Sequence, residues 1–304
     1  MSQKYFRSIQ IRRNSELDDM NFTWNPTLLY DYQRYLGHHG VRPFHGIYDE
    51  ERYHQVRETV KQLQIDGDTW PYYEIEPDFY RYNKLGYRTH EFHELPDQFD
   101  LVIGAEDVEG VGLRAEETWV HLYEQQSGRT LVNLGKAGCS NIMMKWNLQA
   151  WMMSKAVPSR ILIFWTEPSR ESYHQTQGLI STLCYGNQRC DDVMVNTRYQ
   201  QHLQDARNWS NHFLDIYTNT NLMLTPRTQV YNFFSNLYWK ESDVHNIMDI
   251  TQIPATFLSW NNQHNGWAKF QNYNYFPAAD MTHHGWQHHK AILKNILEVI
   301  YSRF

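Results

Sequence analysis

Cysteine is scarce in this chain: Cys139, Cys184 and Cys190 are the three thiols among 304 residues. An odd number leaves at least one unpaired. No fourth cysteine is present for a zinc cage, and Cys184 and Cys190 do not stand in C-x-x-C spacing. The expectation is reduced thiols in a cytoplasmic setting. Long apolar runs are also missing. No stretch of 18 apolar residues occurs, which argues against a helical membrane span. The opening MSQKYFRSIQIRRN has no apolar core of the secretory kind, so no signal peptide is expected. Positive charge is not in excess. A net charge of −6 carries no nucleic-acid signature. Internal repeats and low-complexity linkers are absent. Aromatic residues, by contrast, are plentiful at 15%, and the length allows one large domain or one domain with an appendage.

The most informative stretch is Phe99 to Cys139. Leu101-Val102-Ile103 is a short apolar strand ending at Gly104, and a loop with Gly110 and Gly112 follows. Glu116 to Gln126 places Trp119, Leu122 and Tyr123 at helical spacing. Leu131 to Leu134 is a second strand, and its turn carries Gly135 and Gly138. Strand, loop, helix, strand is the grammar of a parallel α/β sheet. Ligands in such sheets sit beyond the carboxyl ends of the strands, so the two glycine-containing turns are where chemistry is expected.

This layout resembles the SGNH/GDSL hydrolase family. Gly104, Gly110, Gly112, Glu116-Glu117-Thr118-Trp119 and Asn133-Leu134-Gly135-Lys136-Ala137-Gly138 fall in register with its strand, glycine loop, helix start and N-L-G-x-x-G block. Upstream, Tyr82 to Arg88 is similar to the N-x-L-G-x-R segment that precedes the strand. The chain departs from the family at one place. Where the family has Asp-Ser after the glycine, this sequence has Ala105-Glu106, so the nucleophilic serine is missing. The resemblance implies a three-layer α/β/α, flavodoxin-like parallel sheet over 98–304, with residues 1–97 as an aromatic-rich N-terminal extension packing on it.

The rest of the chain fills in this plan. Asp49 to Leu63 reads as a helix with Tyr53, Val56, Val60 and Leu63 on one side, and Tyr30 to Leu36 as a turn or two of another. Ser140 is an N-cap candidate for a helix to Ser154, with Ile142, Met143, Trp146, Ala150 and Met153 facing the sheet. Ile161 to Trp165 reads as a fully buried strand that ends in the loop Thr166-Glu167-Pro168-Ser169-Arg170. Ser172 to Asp192 is a polar insert without clear period. Helices are expected over Tyr199–Tyr217 and Val230–Met248, with Pro226 between them. Ile253 to Trp260 is the next strand and Asn261 to Asp280 a polar, aromatic loop. Trp286 to Tyr301 closes the chain as an amphipathic helix with Ile292, Leu293, Ile296, Leu297 and Ile300 inward.

Chemistry concentrates in Asp280-Met281-Thr282-His283-His284-Gly285-Trp286-Gln287-His288-His289. Asp280 and His283 match the family's D-x-x-H block, in which the histidine is the general base and the aspartate orients it. A carboxylate on one ring nitrogen fixes the tautomer and frees the other nitrogen for a proton. His289 stands where related members carry a second histidine. His284 and His288, at i and i+4, also allow a metal reading. Gly138 matches the glycine whose N–H helps form the oxyanion hole, and a turn glycine with positive φ is an equal reading. Glu167 occupies the place of the G-x-N-D block and, with Gly104 and Gly138, would line the substrate pocket.

Glu106 leaves three readings open. The site is a relic that binds or assembles. Alternatively, Glu106 pairs with Glu167 or Asp280 for acid–base hydrolysis. In the third reading, Glu106, Asp107, Asp280 and His283 hold a hard cation. Ser140 and Cys139 are on the wrong loop to replace the serine. The expected catalytic set is Glu106, Asp280 and His283, with no metal and no cofactor. The leading expectation is a protein without the serine esterase mechanism. It would bind a carbohydrate or acyl group, or serve as a structural component such as a phage virion protein with assembly partners. The alternative is an active glycan or ester hydrolase that uses its carboxylates with His283.

Overall fold

A computed structural model describes residues 40–45, 47–67, 70–153, 156–174, 180–183, 197–201, 206–236, 238–259, 278–280 and 283–302. Five parallel strands form the central sheet: β3 (Asp100–Ile103), β4 (Leu131–Asn133), β5 (Arg160–Trp165), β8 (Gln229–Ser235) and β9 (Thr256–Leu258). Their spatial order is β4-β3-β5-β8-β9. The chain therefore moves from β3 to one neighbour, then returns past β3 to build the other side. This is the flavodoxin-like order, and its reversal lies between β3 and β5.

Both faces of the sheet are covered. Leu101, Ile103, Ile161, Ile163 and Trp165 enter one apolar cluster, and Val102, Leu162 and Phe164 enter the other. That two-residue alternation, with both sets apolar, is what a strand covered on both faces requires. Helices α4 (Asn141–Met153), α5 (Ala206–Leu224) and α6 (Glu241–Thr251) supply side chains to the first cluster. Helices α3 (Trp119–Ser127) and α7 (Trp286–Tyr301) supply the second. The result is three layers, α/β/α. Among the described residues no helix is long and apolar enough to cross a membrane.

Upstream, β1 (Gly40–Arg42) pairs antiparallel with β2 (Tyr80–Tyr82), and α1 (Ile47–Gln62) lies between them in sequence. Tyr53, Val56, Val60, Trp70, Tyr72, Phe79, Tyr80 and Tyr82 form a third cluster with Leu113, Ala278 and Ala279. Leu63, expected inward, is exposed. This aromatic cluster thus packs on loops at the carboxyl end of the sheet. Arg88 adds polar contacts, donating to the carbonyls of Phe79, Gly110 and Leu113 at 3.0, 2.6 and 2.6 Å.

Several expectations need correction. Val230 to Met248 is not one helix: its first part is β8, a central strand, and the helix α6 starts only at Glu241. The strand is covered on both faces, with Tyr231 and Phe233 in one cluster and Phe234 in the other, so no polar alternation marks it. Its one polar residue in the middle, Asn232, accepts from Trp165 Nε1 at 2.9 Å and donates to Asn221 Oδ1 at 2.8 Å. The insert after β5 begins as a hairpin of β6 (Glu171–His174) and β7 (Ile180–Leu183). On α4 the buried residues include Met144, Leu148 and Trp151, whereas Met153 is 59% exposed. The helix is apolar around most of its girth, which blurs the face that its period defines. Cys184, Cys190, Tyr30–Leu36 and most of the Asn261–Asp280 loop lie outside the described residues.

Candidate functional site

The site gathers at the carboxyl ends of β3, β4 and β5. Gly104 ends β3 because the chain packs closely there: a Cβ would sit 2.4 Å from Val108 Cγ2 and 2.9 Å from Phe164 Cβ. Its role is packing, and its carbonyl accepts from Lys136 N at 3.0 Å. One short turn follows, α2 (Glu106–Glu109), capped by Gly110 in the left-handed region. This turn aims two carboxylates, three residues apart, at the loop after β4. Gly138 N–H donates to Glu106 Oε1 at 3.0 Å, and Ala137 N–H donates to Glu109 Oε2 at 2.5 Å. Gly138 has φ +74°, which only glycine adopts without strain.

Arg170 is the residue that sequence reasoning left without a role. Its Nη1 donates to both oxygens of Glu106 at 3.0 Å, and its Nε donates to Glu167 Oε1 at 3.2 Å. Glu167 Oε2 also accepts from Ser169 Oγ at 3.3 Å. Asn141, the first residue of α4, fixes this loop. It accepts from Thr166 N at 3.0 Å and donates to the carbonyls of Thr166 and Glu167 at 3.1 and 3.3 Å. The only sequence signal for Arg170 is its place three residues after Glu167 in a loop at a strand's carboxyl end.

Burial pushes the Glu106 carboxyl up, but the Arg170 guanidinium and then His283 outweigh it and hold it below the usual glutamate range. The Tyr238 ring lies 5.7 Å from the Arg170 guanidinium carbon. Burial, with Glu106 and Asp107 adding to it, keeps the Tyr238 phenol protonated.

Asp280 and His283 meet just before α7. His283 Nδ1 lies 2.5 Å from Asp280 Oδ2, and His283 N–H donates to Asp280 Oδ1 at 3.1 Å. Burial pushes the imidazole down, but the Asp280 carboxylate, with Glu106 and Asp107 adding to it, lifts its pKa to about 9. Glu106 and His283 thus feel each other's charge, while the bonds of Glu106 go to Arg170 and Gly138.

A second pair stands beside the first. His284 Nδ1 donates to Asp107 Oδ1 at 2.8 Å, and the His284 ring stacks on His288 with centroids 3.7 Å apart. His289 Nδ1 accepts from Trp119 N–H at 3.1 Å. Burial drives the His289 imidazole down to about 3, so it is neutral. The set Glu106, Asp107, Asp280 and His283 considered for a hard cation is therefore divided: Glu106 bonds Arg170, Asp107 bonds His284, and Asp280 bonds His283. Among the described residues no group of three or more histidine, cysteine or acidic side chains is arranged to hold a metal ion. Stacking puts His284 and His288 ring on ring, not around a shared centre.

The His283 shift has a consequence for stability. Its pKa is raised from 6.5 in the free group to about 9 in the folded state. That gain is complete below 6.5 and is lost as the pH rises through about 9. The loss amounts to about 3 kcal/mol at 1.36 kcal/mol per pKa unit. Urea unfolding at pH 6 and pH 9.5 should show it. A midpoint that does not fall at the higher pH, or a His283→Gln variant with the same slope as wild type, would contradict it.

No family model matches the chain. No curated protein matches it in sequence. Solved structures do. A lipolytic protein of the G-D-S-L family from Veillonella parvula is 14% identical, with 68% of this chain aligned to 100% of that one at a TM-score of 0.42. TesA is 11% identical over 68% of this chain and 100% of its own, at a TM-score of 0.43. An acetyl xylan esterase from Butyrivibrio proteoclasticus is 8% identical over 69% of this chain and 64% of its own, at a TM-score of 0.40.

Proposed function

We propose that the site binds an acyl or carbohydrate group without serine esterase chemistry. In this reading the chain is an SGNH-hydrolase-like protein whose nucleophile position carries a fixed anion. The observation that carries it is the Glu106 carboxylate, bonded to Arg170 and to the Gly138 N–H. A serine mechanism needs a hydroxyl beside a free base. Position 106 offers a carboxylate tied on both oxygens, and the amide that the resemblance implies for the oxyanion hole already has an acceptor. His283, raised to about 9, is imidazolium near neutral pH and cannot take a proton there.

Carboxylate catalysis is not favoured by the same geometry. A general acid needs a raised pKa, and that of Glu106 is lowered. Glu167 shares the Arg170 cation with it. Replacement nucleophiles fare no better. Cys139 and Ser140 are fully buried, and Ser140 Oγ is 2.6 Å from Ser172 Oγ while accepting the Met143 N–H at 3.3 Å.

The test is p-nitrophenyl acetate hydrolysis together with labelling by a fluorophosphonate probe. The expected result is hydrolysis at the buffer rate and no labelled serine. Stoichiometric labelling of any serine would overturn the reading.

A further inference from the structure

We infer that Arg170, the Gly138 amide and His283 form a receptor for a carboxylate, that the Glu106 side chain is its resident occupant, and that a ligand carboxylate enters by displacing it. This rests on the reading of the site as a binding site and names the group bound there.

The three contributors come from three separate places: the turn after β4, the loop after β5, and the residues just before α7. Two of them bond one carboxylate. Gly138 N–H reaches Oε1 at 3.0 Å, and Arg170 Nη1 reaches both oxygens at 3.0 Å. His283, its ring held at 2.5 Å on Asp280 Oδ2, adds positive charge that acts on the Glu106 carboxylate. Convergent donors of this kind make a pocket for a flat, two-oxygen anion.

The occupant can be exchanged without undoing the fold. The backbone of α2 closes itself, with Gly110 N–H donating to the Glu106 carbonyl at 2.8 Å, and this bond does not involve the side chain. Glu106 keeps 16% of its side chain in solvent, whereas Glu109, on the same turn, has none. Glu109 is therefore the anchor of the turn, and Glu106 is the one of its two acids with a path to solvent.

Open donors mark where an incoming group would land. Arg170 uses Nε for Glu167 and Nη1 for Glu106, and among the described residues nothing accepts from Nη2. His283 gives Nδ1 to Asp280, keeps Nε2 without a partner among the described residues, and is 26% exposed. The acids Glu167 and Asp280 beside these donors favour a singly charged ligand over a dianionic phosphate.

A tethered carboxylate competes at an effective concentration in the millimolar range or above. A free monocarboxylate therefore sees an affinity reduced by the small fraction of molecules in which Glu106 has withdrawn. Removing the occupant should reveal the receptor. The experiment is a titration with sodium acetate at constant ionic strength, read on the His283 ring signals by NMR, with sodium phosphate as the second probe.

The Glu106→Ala variant is expected to bind acetate at least about tenfold more tightly than wild type, about 1.4 kcal/mol. It should prefer acetate to phosphate, and adding Arg170→Met should abolish the gain. An Ala variant no better than wild type would overturn the inference. So would a double variant that binds as well as the single one, or a preference for phosphate. Should the Ala variant not fold, Glu106→Gln serves: it keeps the volume, loses the charge, and must still bind acetate more tightly than wild type. A labelled serine would sink the functional reading and leave the acetate data standing, so the two failures are distinguishable.

Discussion

Lys136→Met is expected to lower stability by about 3–5 kcal/mol, the range for removing one partner of a buried ion pair. Lys136 and Glu109 have no exposed side-chain surface, and Nζ lies 3.1 Å from Glu109 Oε1. The ammonium also sits 4.7 Å from the Tyr82 ring centre and 5.6 Å from that of Tyr87. Burial pulls the Lys136 pKa down, and Glu109 opposes this. Methionine fills much of the same space but offers no donor. Glu109 still accepts from the Ala137 amide at 2.5 Å and has His45 Nε2 at 3.2 Å, but it has lost the Lys136 ammonium.

This triad joins the loop after β1, the turn α2 and the loop after β4, so its loss loosens all three at once. Adding Glu109→Gln removes the stranded charge while keeping an acceptor for the Ala137 N–H. The double variant should therefore recover most of the loss. Urea unfolding measures both. A single variant within about 1 kcal/mol of wild type would be an ordinary surface-type effect and would contradict the account.

The second large effect is expected from Arg170→Met, at about 3 kcal/mol near neutral pH, the lower end of the same range. Arg170 is 8% exposed and stands between Glu106 and Glu167. Without it, Glu106 and Glu167 lose the cation they share, and burial acts on Glu106 opposed by His283 and backbone N–H bonding alone. In wild type the lowered Glu106 pKa contributes stability that is present above its unfolded value, near 4.3, and lost as the pH falls through the folded value. In the variant that sign reverses, and stability should improve on acidification from pH 7 to pH 5. A variant whose stability rises from pH 7 to pH 5 no more than that of wild type would show that Arg170 does not set the charge of the site.

Parts of this structure are legible in the sequence because the signals are local. Leu101-Val102-Ile103 and Ile161 to Trp165 are short apolar runs bounded by turns, and they become β3 and β5. The pattern of α7 is equally open, since Ile292, Leu293, Ile296 and Ile300 repeat on one face and are buried. The Asp280–His283 hydrogen bond follows from a spacing of three. Val230 to Ser235 is opaque for the opposite reason. A strand covered on both faces has no alternation, and it runs almost directly into a helix.

The Arg170–Glu106 pair spans 64 residues between two loops that meet only because β3 and β5 are neighbours. No local pattern encodes it. The sequence shows Ala105-Glu106 after Gly104, but which groups the Glu106 carboxylate meets depends on the sheet. Reading Glu106 against His283 alone overlooks the guanidinium that holds it.

The most direct test of the central claim is the titration of the Glu106 side-chain carboxyl carbon by NMR, in wild type and in Arg170→Met. The account requires that Glu106 be a fixed anion, neither an acid nor a nucleophile. It predicts a wild-type midpoint below the ordinary glutamate value of about 4.3, and a midpoint raised above that value once Arg170 is gone. A wild-type midpoint near neutrality, as a general acid would show, or one that does not move in the variant, would contradict it.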